Sequence, residues 1–102
     1  MALVTWFIIM LTSFGNKVTQ QIWNGERVKG LPIEVQEITR RKLRMLHNSQ
    51  NLTDLKIPPS NRLEKLKGDM KNFYSIRVNN QWRIIFKWNN GNAEVVELID
   101  YH

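Results

Sequence analysis

Polar and apolar residues alternate in two stretches near the end of the chain. Tyr74, Ile76 and Val78 take every second position, and Trp82, Ile84, Phe86 and Trp88 do the same after them. A period of two marks a half-buried strand, so strands are predicted over about 73–79 and 82–88. A third apolar run predicts another over about 93–100. "NNQ" and "NNGN" separate the three and supply residues that tolerate positive φ. Upstream the spacing changes. Val18 and Ile22 stand four apart, as on a short helix from Asn16 to Asn24. Val35, Ile38, Leu43 and Leu46 form an apolar stripe on a longer helix that opens at Pro32 and runs to about His47. Glu34 and Glu37 come early in it, and Arg40, Arg41, Lys42 and Arg44 late, which complements the helix dipole. That basic cluster reads as a solvated helix end. "NSQNLTDLKIPPSNRLEKLKGD" between helix and strands is a long irregular connector, and long loops in small domains often carry function.

Register decides which side chains share a face. If both alternating sets point at the core, the loop Asn79-Asn80-Gln81 must hold an odd number of residues, because a two-residue turn would flip one set outward. Ser75, Arg77, Arg83, Ile85 and Lys87 then share the other face. The sheet is expected to have a greasy side against the helices and a cationic side without cover. In the third strand, strict alternation puts Asp100 and His102 on one face and Tyr101 on the other. Glu97 sits awkwardly on either face, and a bulge, or a departure from the sheet near the end, is the device that would bring Asp100, Tyr101 and His102 together.

The first fifteen residues, "MALVTWFIIMLTSFG", are uncharged and mostly apolar. They are too short for a bilayer span of about 20 residues, and lack the basic start and small-residue cleavage site of a signal peptide. They read as a long first strand, or as an extension of nine residues ahead of a start at Met10; the second is the expectation.

Composition narrows the class. A chain of 102 residues with 42% apolar content is expected to form one domain, 1–102. Without cysteine there are no disulfides or thiolate metal sites, and a reducing compartment such as the cytoplasm fits. Two histidines far apart in sequence argue against zinc. The net charge of +6 is unevenly spread: residues 40–87 hold twelve bases against three acids, a local +9. A polyanion such as nucleic acid is the natural partner for such a stretch, and a solvated basic face the plain alternative.

Metal-free cleavage of an RNA phosphodiester needs a base for the 2′-OH, an acid for the leaving 5′-oxygen and fixed cations for the phosphate. The chain offers His102 as an acid–base group, Tyr101 as a donor or stacking ring, and Arg83 and Lys67 as phosphate holders. Taken singly, each has a plain reading. Arg83 suits a cross-strand pair with Glu97 or Glu94, Lys67 an ordinary turn, and Asp100 a local cap.

Taken together, "RLEKLKGDMKNFYSIRVNNQWRIIFKW", the terminal "DYH" and "SFGNKVTQQIWNGE" near the start resemble the HigB toxins, a branch of the RelE/ParE toxin–antitoxin superfamily. The resemblance covers about residues 10–102, and "LKGD", "WRI" and the closing "YH" carry it jointly. It implies an α+β fold: two N-terminal helices packed on a small twisted, mainly antiparallel β-sheet. It implies an endoribonuclease that cuts mRNA on the translating ribosome without a cofactor. It further implies a HigA-like helix-turn-helix antitoxin through which alone operator DNA is bound, and no membrane. By position, the implied active site is Lys67, Arg83, Asp100, Tyr101 and His102. Some relatives carry a histidine where this chain has Glu64, so the general base stays open among Glu64, Asp100 and His102. Lys65, Lys71, Arg77 and Lys87 are expected to guide the RNA backbone. ParE-type relatives share the fold but act on DNA gyrase, so a gyrase inhibitor and a non-catalytic RNA-binding module are the alternatives.

Overall fold

The computed structural model describes Leu11 and residues 13–101. The expectations for residues 1–10, including the start at Met10, and the placement of His102 lie outside the described residues. Two helices, α1 (Lys17–Trp23) and α2 (Ile33–Asn48), precede four strands: β1 (Glu64–Lys65), β2 (Tyr74–Arg77), β3 (Trp82–Asn89) and β4 (Asn92–Asp100). The strands form one antiparallel sheet in the order β1-β2-β3-β4. The architecture is α+β, with the helices N-terminal to the sheet. From the region of the predicted first strand, Leu11 and Phe14 make parallel bridges to Ala93 and Val96, along the free edge of β4.

Local chemistry sets the elements. The Asn16 side chain caps α1 by accepting from the Thr19 N–H at 3.0 Å. The Thr19 hydroxyl accepts from the Leu98 N–H at 2.8 Å and so fastens α1 to β4. Arg40 is not simply solvated: its Nε donates to the Ile22 carbonyl near the end of α1 at 2.8 Å. Gln36, buried on α2, accepts from the Val28 N–H and donates to the Val28 and Leu31 carbonyls, which fixes the link between the helices. Val35, Leu43 and Leu46 are buried as their spacing predicts, and Ile38 packs partly against the core. Lys42 departs from its expectation, because it is buried in the middle of the basic cluster.

The register matches the odd-loop reading. Tyr74 opposes Phe86 and Ile76 opposes Ile84. Both sets reach the core with Leu43, Leu46 and Leu55. The Asn79 side chain closes the three-residue loop by accepting from the Gln81 and Trp82 N–H groups, each at 2.8 Å. Between β3 and β4, Asn90 and Gly91 both take positive φ, 51° and 85°, as a two-residue hairpin turn requires.

A bulge resolves β4. Ile85 faces Glu97 but Lys87 faces Glu94, so one extra residue is inserted opposite Phe86. Val95 has φ 51° there, and its N–H donates to the Ser13 hydroxyl at 2.8 Å. The extra residue lets Ala93, Val96 and Leu98 all reach the core, and it turns Glu94 and Glu97 to the opposite face. That face is not the uncovered cationic surface expected. Ser75 and Ile85 are buried at its centre, and Arg83 is only 7% exposed. The connector reaches its edge, where it supplies the short strand β1, which pairs Glu64 with Ser75 and Lys65 with Tyr74, and the Arg62 carbonyl that accepts from Arg83.

Candidate active site

Arg83 sits on β3 with Arg77 directly across on β2 and Ile99 across on β4. Like charges in direct cross-strand pairs repel, and the two arginines part. Arg77 donates to the Asn80 side chain at 2.6 Å. Arg83 turns toward Ser75, where its Nε donates to Oγ at 2.9 Å. Its Nη2 donates to the Arg62 carbonyl at 2.6 Å and to the Ser75 carbonyl at 3.5 Å. Glu64 Oε1 stands 3.7 Å from the same nitrogen. Burial pushes the guanidinium below its ordinary pKa; Glu64 and Tyr101 oppose that shift, and Arg77 and Arg62 add to it. An arginine so placed stays cationic at neutral pH.

Lys67 is placed by a turn. The Leu66 N–H still bonds the Phe73 carbonyl at 2.9 Å, extending the β1–β2 pairing. The chain then tightens into a single 3₁₀ turn, Gly68–Met70, with Lys67 at its start. Gly68 has φ 69°, a conformation that side chains resist. Lys67 is exposed at the rim of a cleft of about 560 Å³ lined by Glu64, Lys65, Leu66, Lys67, Met70 and Tyr101. That volume suits a small organic group.

Tyr101 reaches the cleft because of the bulge. With Arg83 opposite Ile99, and the Tyr101 N–H bonded to the Gln81 carbonyl at 2.6 Å, the tyrosine continues the Arg83 face. Its ring centre is 5.3 Å from the Arg83 guanidinium carbon, in cation–π range, and its side chain is partly exposed. Asp100 pairs with Trp82 on the other face, and its carboxylate accepts from Gln81 Nε2 at 3.1 Å.

The structure thus gathers Glu64, Lys65, Lys67, Arg83 and Tyr101, and sets Asp100 apart. Lys65 and Lys71 also line a neighbouring recess with Lys87, Tyr74, Trp88 and Glu94. Lys87 Nζ lies 5.3 Å from the Phe73 ring centre. Arg77 is tied to the β2–β3 turn, at the far end of β2 from Tyr74, and lines neither the cleft nor the recess. Among the described residues no three His, Asp or Glu side chains gather as a metal would need. No helix among them is long and apolar enough to cross a membrane. Sequence reasoning missed Ser75 and the Arg62 carbonyl, which hold Arg83, and Leu66 and Met70, which give the cleft an apolar wall. Ser75 shares a face and period with Arg83, which is a signal of a kind; a backbone carbonyl from the connector leaves none.

A family model for the RelE-like toxin of the type II toxin–antitoxin system HigB matches residues 12–102. The chain is 40% identical over 85 residues to Toxin HigB-1 of Vibrio cholerae serotype O1, covering 82% of this chain and 90% of the relative. It is 28% identical over 93 residues to the Endoribonuclease HigB of Proteus vulgaris, covering 91% of this chain and all of the relative. An uncharacterised protein of Haemophilus influenzae is 41% identical over 66 residues, 65% of each chain. A helix pair ahead of an antiparallel sheet, with a cleft between the LKGD turn and Tyr101, accords with that match. The chain belongs to the HigB-like family of RelE-like toxins of type II toxin–antitoxin systems.

Proposed function

We propose that the protein is an endoribonuclease that cuts mRNA on the translating ribosome and thereby stops translation. The observation that carries it is one cleft lined by Glu64, Lys67 and Tyr101, with the Arg83 guanidinium against both Glu64 and Tyr101. The Proteus vulgaris relative, named an endoribonuclease, supports it.

In this reading Arg83 and Lys67 neutralise the scissile phosphate as its charge builds. Arg83 is held by Ser75 and Arg62 before substrate arrives, so little reorganisation is needed. A ribose 2′-OH attacks the adjacent phosphorus and forms a cyclic phosphate. Its proton passes to the Glu64 carboxylate as base, and the leaving 5′-oxygen takes a proton from the His102 imidazolium to become a hydroxyl; in the other arrangement His102 is the base and returns the same proton to the leaving oxygen. Tyr101 stacks on a nucleobase, as its exposed ring allows, with Leu66 and Met70 opposite. Lys65, Lys71, Arg77 and Lys87 track the RNA backbone. Asp100 anchors the tail through Gln81 and orients His102. No metal or cofactor takes part.

Membership of a type II system implies a protein antitoxin as partner. A helix-turn-helix antitoxin that carries the operator-binding activity is part of this proposal, as is a cytoplasmic site of action. The test is a map of new RNA 5′ ends after brief expression, repeated with Arg83→Ala. Codon-spaced cuts in translated messages, lost in the variant, are expected. DNA damage without cuts would identify a gyrase poison instead, and neither effect would leave only a binding module.

A further inference from the structure

Lys42 has no place in the cleft, yet it is one of the least ordinary residues in the fold. It lies in α2, is 5% exposed, and its Nζ donates to the Asn61 side-chain oxygen. Among the described residues its ammonium makes no ion pair within 4.0 Å; the charges that bear on it, Arg41 and Arg77, are both positive. A leucine would pack there at less cost if the site only needed filling.

What Lys42 grips is the connector, at Asn61. Asn61 is fully buried, and with its oxygen taken by Lys42 its amide nitrogen points to the Leu55 carbonyl at 3.0 Å and the Ile57 carbonyl at 3.5 Å. The next residue, Arg62, takes the left-handed conformation, φ 46° and ψ 58°. A non-glycine residue holds that conformation only when its surroundings impose it. The carbonyl so aimed is the one that accepts from Arg83 Nη2.

We propose that Lys42 is a positioning residue: through Asn61 and the left-handed Arg62 it aims the carbonyl that locks the Arg83 guanidinium. The inference rests on the nuclease reading for its kinetic consequence, but not for its geometry. Lys42 never touches substrate; it acts on RNA cleavage only through the orientation of Arg83.

The test replaces Lys42 by Met in the full chain, which keeps length and apolar stem and removes the donor. Side-chain NMR of Arg83 gives a readout that general destabilisation would not move. In the parent, the Nη2 bonds should slow rotation about Nε–Cζ and give resolved Nη signals. In Lys42→Met they should merge while core amide signals persist. On ribosomes carrying a defined mRNA, kcat should fall about ten- to hundredfold with KM nearly unchanged, the mark of a misplaced catalytic cation. Resolved Arg83 signals together with parental kcat in a folded variant would overturn the proposal. Should Lys42→Met not fold, Lys42→Gln, a shorter donor, is read by the same measurements: a partial shift in both supports the linkage, and parental behaviour in both rejects it. If the parent itself cuts no RNA, the nuclease reading fails, and the NMR comparison still decides the linkage.

Discussion

The Tyr101 ring lies against the Arg83 guanidinium, 5.3 Å from ring centre to Cζ. One residue is the penultimate one of the chain and the other lies near the start of β3. The contact makes the tail part of the cleft wall, and Tyr101 stays 40% exposed, which leaves room for a base to stack on its ring. Tyr101→Phe keeps the ring and its attraction to the cation. If Tyr101 works by stacking, single-turnover cleavage by Tyr101→Phe should stay within a few fold of the parent, and Tyr101→Ala should fall roughly tenfold or more. A loss in Tyr101→Phe as deep as in Tyr101→Ala would instead assign the chemistry to the hydroxyl.

Arg83→Lys should behave as a disabling change although the charge is kept. Lysine cannot place forked donors on Ser75 and on the Arg62 carbonyl at once. Leaving buried acceptors without their donor should lower unfolding free energy by about 1–3 kcal/mol in urea titrations. Cleavage should drop on the order of a hundredfold or more. Arg83→Lys activity close to that of the parent would show that charge alone suffices and that the fixed fork is irrelevant.

Gly68 meets nothing within 4 Å where a Cβ would stand, so Gly68→Ala introduces no clash. The cost is conformational, because alanine at φ 69° carries left-handed strain of about 1 kcal/mol. The turn should relax by swinging Lys67 away from the cleft. Stability by thermal melting should fall slightly, while cleavage falls far more. A variant that loses stability and keeps its activity would show that the Lys67 turn does not set the site.

Much of this arrangement was legible in the residue pattern. Alternation at Tyr74–Val78 and Trp82–Trp88, with the demand that both face one core, required the odd loop at Asn79–Gln81, and the register has it. The same reasoning set Arg83 on the face away from the helices. It failed on the burial of Arg83, because the connector that supplies β1 and the Arg62 carbonyl carries no alternation to read. It left the tail open for a related reason. A bulge is a local insertion whose sign here, a valine at positive φ, runs against residue preference. Once the bulge is in place, Glu97 and Tyr101 fall on the Arg83 face and Asp100 on the other. Lys42 was lost among its basic neighbours, since a charge run looks the same whether one member is buried or none. Lys67 and Tyr101 were named for their chemistry and joined into one site only by the family resemblance, and both line one cleft.

Lys42 also fixes the sign of a pH effect. Burial lowers its pKa below the ordinary 10.5, and the nearby Arg41 and Arg77 lower it further. In the unfolded chain the group regains its ordinary affinity for a proton. Between the lowered folded value and the unfolded one, the unfolded state therefore binds more protons, and stability must rise with pH across that interval. Below it, the charged amine opposes folding by a constant amount; above it, the penalty is gone. Other lysines and the tyrosines titrate in the same range, so the effect is read as a difference between parent and Lys42→Met, which lacks the group. The unfolding free energy of the parent minus that of the variant, from urea titrations at successive pH values, should climb as pH approaches 10.5 and then level off. A difference that stays flat with pH would show that burial does not lower the proton affinity of the ammonium.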